Sequence, residues 1–180
     1  NNYLLGKDPF PFDLLYWNSD STRMPATMHA FYLRNMYQDN KLVQPNGITL
    51  ADTPINISKI TTPSYILATK DDHIAPWICT YAATQVYDGS ITFTLADSGH
   101  IAGVVNHPDK KKYCWWQNDK LPPKPAEWFA KAKQHEGSWW GNWNEWLKGY
   151  AGKKVKPPTM GNKKYKVIES APGSYAKVRN

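Results

Sequence analysis

The sequence predicts an α/β architecture, a parallel sheet with flanking helices, preceded by an irregular aromatic segment. Three observations predict it. Two short apolar runs, Ser64–Thr69 and Ile91–Leu95, are bounded by turn residues, as buried strands are. Between them, the stretch from Pro76 to Tyr87 carries Ile78, Ala82 and Val86 at helical spacing, so strand, crossover helix and strand form a βαβ unit with parallel strands. Each run empties into a polar loop, Lys70–His73 or Ser98–His100. These loops follow the carboxyl ends of the strands, where open α/β sheets place their sites.

The remaining elements follow in order. Residues 1–18 are aromatic and irregular, with Pro9 and Pro11 close together. Asp20, Ser21 and Thr22 offer capping side chains ahead of Pro25, which suits the first turn of a helix. Met28, Phe31, Tyr32 and Met36 recur at helical spacing and predict a helix over about 25–38. Residues 45–62 hold Pro45, Gly47 and Pro54 among Ile48, Leu50, Ile55 and Ile57, and read as turns and short extended pieces. Beyond His107, Pro122, Pro123 and Pro125 precede a helix of about 126–135. Gly137 and Ser138 then lead into a Trp-studded helix from Trp139 to Lys148, stopped by Gly149 and Gly152. The expected domains are residues 1–42, 43–150 and 151–180.

Composition narrows the function classes. The 180 residues suit one ordinary domain or part of a larger one. With 41% hydrophobic and 21% charged residues, a disordered or fibrous chain is excluded. No apolar run approaches the roughly 18–20 residues that cross a bilayer. The N-terminus lacks the basic and apolar segments of a signal peptide, and it lacks an initiator Met, so a start inside a longer protein is expected. The net charge of +7 belongs to residues 151–180, which hold seven Lys, one Arg and the single acid Glu169; residues 1–150 hold 14 basic and 14 acidic residues. A basic tail on a neutral body is not the basic face of a nucleic-acid binder, so no nucleic-acid partner is expected. Cys79 and Cys114 are too few for a disulfide framework and read as small structural hydrophobes in a reducing, cytoplasmic setting. Seven of the nine Trp lie after residue 114, on the helices that follow the histidine loop, where packing is their expected role.

An acid on one strand-end loop and a histidine on the next is what a nucleophile–His–Asp apparatus requires. The imidazole accepts the nucleophile's proton, and the acid fixes its tautomer and stabilises its cation. Asp72 would be the acid and His100 the base, in the chain order of an α/β-hydrolase, with Gly99 freeing the loop for an unusual backbone angle. That order puts the nucleophile upstream of Asp72. The elbow Gly-x-nucleophile-x-Gly with Ser or Cys at its centre is absent from these residues, and residues 1–71 hold no Cys. Two thirds of a triad are therefore visible, with no attacking atom. The bland readings are that Asp72 caps the helix at Pro76 and that His100 is a satisfied loop histidine. No HxxxH or HxxE spacing marks a metal site, so no metal is expected.

Six segments carry a resemblance to a family. They are Phe12–Asp20 (Phe-Asp-Leu-Leu-Tyr-Trp-Asn-Ser-Asp), Tyr32–Tyr37 (Tyr-Leu-Arg-Asn-Met-Tyr), Asp72–Trp77 (Asp-His-Ile-Ala-Pro-Trp), Ser98–Gly103 (Ser-Gly-His-Ile-Ala-Gly), Gly137–Trp140 (Gly-Ser-Trp-Trp) and Ala171–Tyr175 (Ala-Pro-Gly-Ser-Tyr). In this order they resemble the C-terminal part of a class I polyhydroxyalkanoate synthase, over essentially the whole chain. The resemblance implies the C-terminal portion of an α/β-hydrolase fold, preceded by part of a cap. It implies a cysteine nucleophile, and polymerisation of (R)-3-hydroxyacyl-coenzyme A into polyester with release of coenzyme A as leaving group. No other cofactor is implied. It further implies a cytoplasmic enzyme that works as a dimer at the surface of polymer granules. Asp72 matches the family's catalytic aspartate and His100 its catalytic histidine. His73 matches a neighbouring histidine that lines the site or only shapes the loop, and Trp17 an aromatic of the cap. The nucleophilic cysteine would lie on the N-terminal remainder of the enzyme. Two rivals share these features: an esterase or polyester depolymerase of the same fold, and a non-catalytic module that docks on granules.

Overall fold

The computed structural model describes residues 2–7 and 22–178. The chain divides into two compact units, one of Asn1–Phe31 with Lys154–Asn180 and one of Tyr32–Lys153. In the first, α1 (Asn2–Leu5) is a single turn and α2 begins at Ala26 and runs to Tyr32. The described residues of this unit's tail are exposed almost throughout, with a 3-10 turn at Tyr175–Lys177. The helix expected over 25–38 is thus α-helical only to Tyr32. It continues as a π-helix, Leu33–Gln38, in which Tyr32 and Tyr37, five residues apart, meet edge to face at 5.3 Å. None of its apolar residues is buried.

The second unit holds the sheet. A small hairpin comes first, β1 (Ile48–Leu50) with β2 (Thr53–Ile55), turned by Ala51 and Asp52 in left-handed conformation. The main sheet follows: β3 (Ser64–Thr69), β4 (Ile91–Ala96), β5 (Cys114–Gln117) and β6 (Lys133–Glu136), in that spatial order. β3 and β4 are parallel and in step from Ser64 opposite Ile91 to Thr69 opposite Ala96, so both carboxyl ends finish level. The crossover between them is α3 (Trp77–Tyr81), which tightens into a 3-10 turn at Ala82–Gln85 and so stops short of the expected full helix to Tyr87. α4 (Pro125–Ala130) and α5 (Trp140–Lys148) complete the unit.

The sheet is mixed and not all parallel, because β5 and β6 run antiparallel to their neighbours. Both strands lie where the sequence reading places no strand. The helix expected over 126–135 ends at Ala130, since Trp128 and Phe129 have by then delivered its apolar face to the core. Residues 133–136 are polar, and their backbone pairs with β5. His135 stacks flat on Trp115 at 4.2 Å. Trp115 and Trp116 lie on β5 and not on a helix, and being consecutive in a strand they serve opposite faces. Trp116 joins Ala68, Phe93, Leu95, Tyr81 and Trp128 under α3 and α4. Trp115 joins Ala96 and Trp139 under α5, with Tyr65 and Leu67. On this second face Tyr65 donates to Asn142 at 2.8 Å and accepts from Thr94 at 2.8 Å, and burial pushes its phenol up to about 12.

Candidate active site

The level ends of β3 and β4 set the site. Lys70 N–H donates to the Ala96 carbonyl at 2.8 Å and Asp71 N–H to the Ser98 carbonyl at 2.9 Å, so each loop starts tied to the other. Asp72 then folds back. Its Oδ1 accepts the backbone N–H groups of Ile74 and Ala75, both at 2.9 Å. Its Oδ2 meets His100 Nδ1 at 2.7 Å and Thr69 Oγ1 at 3.4 Å. Asp72 therefore closes its own turn with one oxygen and holds His100 with the other; it does not cap the following helix, whose N-cap is Pro76 with no side-chain bond. The side chain of Asp72 is 8% exposed and that of His100 47%, so the carboxylate is covered and the imidazole reaches solvent.

Hydrogen bonds to the charged form, that of Ala75 N–H first and His100 next, hold the Asp72 carboxyl down at about 2. The group is thus ionised at every working pH. A folded-state value below the unfolded value of about 3.9 means that Asp72 contributes stability above that pH, and that the contribution is lost as pH falls through about 2. Carboxyl-carbon NMR of the protein labelled at Asp is expected to show this titration near pH 2. In His100→Ala the midpoint should rise yet stay below the ordinary carboxylate range, because the Ala75 and Ile74 N–H groups remain. A midpoint unchanged by His100→Ala would mean that the 2.7 Å bond does not form in solution.

The histidine loop corrects the expectation for Gly99. The residue with left-handed backbone is Ser98, at φ 72°, while a Cβ at Gly99 would meet the Asp71 carbonyl at 3.9 Å, an ordinary contact. The glycine that close approach requires is Gly103, at the far end of the same motif: a Cβ there would collide with the Asp97 carbonyl and with the Thr69 side chain. His73 sits exposed in the turn between Asp72 and Ile74, and no hydrogen bond of the site includes it. Trp17 lies outside the described residues. What the sequence reading missed is the support: Thr69, Gly103 and the two N–H groups that grip Asp72. Gly103 was within the motif; the others depend on how the loops fold back.

No protein-family model matches the chain. Curated proteins match it nearly from end to end. It is 45% identical over 180 aligned residues to the poly(3-hydroxyalkanoate) polymerase subunit PhaC of Cupriavidus necator and 46% over 179 to that of Rhizobium meliloti. It is 41% identical over 180 residues to poly(3-hydroxyalkanoate) polymerase 2 of Ectopseudomonas oleovorans, and each match covers 99% of this chain. From end to end the chain is similar to poly(3-hydroxyalkanoate) polymerases. It spans 29–32% of the length of these relatives, a C-terminal part of them.

The cysteines matter next. Cys114, on β5, is partly buried with Sγ 3.7 Å from Asp97 Oδ2. Burial, then the Asp97 and Glu136 charges, push its thiol up, the opposite of what an attacking thiolate needs. Cys79, on α3, is exposed and does not pack as the structural hydrophobe expected, because the outer face of this short helix, with Ile78, is uncovered. Neither cysteine sits on a strand-to-helix elbow. Among the described residues no three His, Cys, Asp or Glu groups converge as a metal would need, and no helix is long and apolar enough to cross a membrane.

Proposed function

We propose that this chain is the acid–base portion of a polyhydroxyalkanoate synthase of class I, an acyltransferase built on an α/β-hydrolase fold. In this reading Asp72 and His100 complete a triad whose cysteine stands on the N-terminal remainder of the enzyme. The single observation that carries it is the 2.7 Å contact between His100 Nδ1 and Asp72 Oδ2, across two level, parallel strand ends. With Nδ1 held by the carboxylate, Nε2 is the nitrogen left to take a proton.

The steps then balance. His100 takes the cysteine proton, the thiolate attacks the carbonyl of an (R)-3-hydroxyacyl-coenzyme A, and coenzyme A leaves as a thiol with that proton. Next, His100 removes the proton of the 3-hydroxyl of a second unit or growing chain. The resulting alkoxide attacks the acyl-cysteine, forms an ester and returns the thiolate, which is reprotonated. Asp72 keeps its charge throughout and stabilises the imidazolium. No cofactor enters. Water must be kept from the acyl-cysteine, since hydrolysis ends a chain. Residues 1–42, with Trp17, are placed as part of the cap, and His73 as a site-lining group. A homodimer, a cytoplasmic setting and association with polymer granules complete the reading.

The test is to produce the chain together with its N-terminal remainder and to supply 3-hydroxybutyryl-coenzyme A. Thiol release with accumulation of polyester is expected from the pair and neither from this chain alone. Turnover by this chain alone would show that Cys79 or Cys114 acts, and the assignment would be wrong. Free 3-hydroxybutyrate in place of polymer would make the enzyme a hydrolase.

A further inference from the structure

His100 rides on a single helical turn, and what holds that turn lies elsewhere in the chain. Gly103 N–H donates to the Gly99 carbonyl at 2.9 Å and Val105 N–H to the Ile101 carbonyl at 2.8 Å. A turn that stops there leaves its last carbonyls without helical partners. Those of Gly103 and Val104 are taken by two indoles from the start of α5. Trp139 Nε1 donates to both, at 3.2 Å each, and Trp140 Nε1 to Val104 at 2.9 Å.

The anchor is stiff. Trp139 is 8% exposed and its ring stacks on Tyr65 of β3 at 6.2 Å. On the turn's other side the Gly103 backbone lies directly on Thr69 and Asp97, the residues that end β3 and follow β4. Thr69 in turn reaches the Asp72 carboxylate that binds His100. The turn is therefore clamped between the strand ends and two indole N–H groups, and its height above the sheet sets where the imidazole meets Asp72. We propose that Trp139 and Trp140 are positioning residues for His100, acting through the carbonyls of Gly103 and Val104. This rests on the reading of Asp72 and His100 as the acid–base pair.

The sequence reading favours a packing role for these tryptophans. A packing role needs the ring; the clamp needs the N–H. Phenylalanine separates the two, since it keeps an aromatic ring and removes the donor. In the full-length polymerase, Trp139→Phe combined with Trp140→Phe is expected to lower kcat about tenfold with KM within about twofold of wild type, the pattern of a displaced catalytic group. The single Trp140→Phe, at a partly exposed position, should give a smaller fall of the same kind. A second readout does not depend on turnover. In histidine-labelled protein, the low-field proton resonance of His100 Nδ1 bonded to Asp72 should weaken or broaden in the double variant. Trp143→Phe is the control, as Trp143 packs on Trp139 at 5.9 Å on the same helix but is 40% exposed. It should leave kcat and the resonance as they are. An unchanged kcat and resonance in both Trp139/Trp140 variants would overturn the proposal, and so would an equal loss in Trp143→Phe. If instead Asp72→Asn keeps full activity, it is the acid–base reading itself that fails, whatever the tryptophan variants do.

Discussion

Asp72→Asn is expected to stop polyester formation almost as completely as His100→Ala, with both falling about 10⁴-fold. The geometry gives the reason. Asp72 Oδ1 accepts two backbone N–H groups, from Ile74 and Ala75, so an asparagine must keep its carbonyl oxygen there. Its amide nitrogen is then turned toward His100 Nδ1, which in the wild type faces Oδ2 at 2.7 Å. An N–H donor at that place makes Nδ1 an acceptor and moves the ring proton to Nε2. The ring would then hold a proton on the nitrogen that must receive one. Asp72→Ala lacks that wrong donor and should retain more activity than Asp72→Asn, although it removes more atoms. The two half-reactions should also part company. A thiol is already a few per cent thiolate at neutral pH, so coenzyme A release in a single turnover should survive the loss of His100 better than elongation, which needs a hydroxyl deprotonated. Rapid-quench measurement of thiol release, set against polymer yield, reads both. Equal losses in the two steps would sink the shared-base mechanism, and Asp72→Ala falling below Asp72→Asn would sink the tautomer argument.

The second large effect is on stability. Trp128 is fully buried, with Phe93 at 5.0 Å, Tyr81 at 5.8 Å and Trp77 at 6.2 Å. Trp128→Ala is expected to cost about 3–5 kcal/mol in urea unfolding, the range for emptying an aromatic from a core. Trp128→Phe should cost far less than its lost volume suggests. The indole N–H of Trp128 is buried with no acceptor among the described residues, and removing an unsatisfied donor recovers part of a penalty of about 1–3 kcal/mol. A Phe variant as unstable as the Ala variant would show that the N–H is satisfied in solution.

The parts of this chain that could be read in advance were those whose signal is local. β3 and β4 are apolar runs cut by turn residues, and both ends fell within a residue of expectation. The meeting of Asp72 with His100 was legible because the two loops follow the ends of neighbouring strands. β6 was hidden because Lys133-Gln-His-Glu has no apolar alternation and owes its form to backbone pairing with β5. β5 was hidden because four residues with two tryptophans show no period. The supports of His100 were hidden for another reason: Gly103 and Trp139 lie 36 residues apart, and only the tertiary fold brings an indole to that carbonyl. Gly99 was credited with a freedom that Ser98 uses.

Adjacent tryptophans on β5 raise a question of alignment. Sliding that strand by one residue would exchange Trp115 and Trp116 between the two faces. Each face would still receive an indole, so hydrophobicity alone hardly opposes the slip. The opposition comes from Gln117. It shares the α5 face with Trp115, where its amide bonds Thr94 at 3.4 Å and Asn142 at 3.3 Å. A slip would carry that amide to the face of Phe93 and Trp128, with its donors and acceptor unmatched. One polar side chain, and not the two large apolar ones beside it, thus tells this strand which way to face.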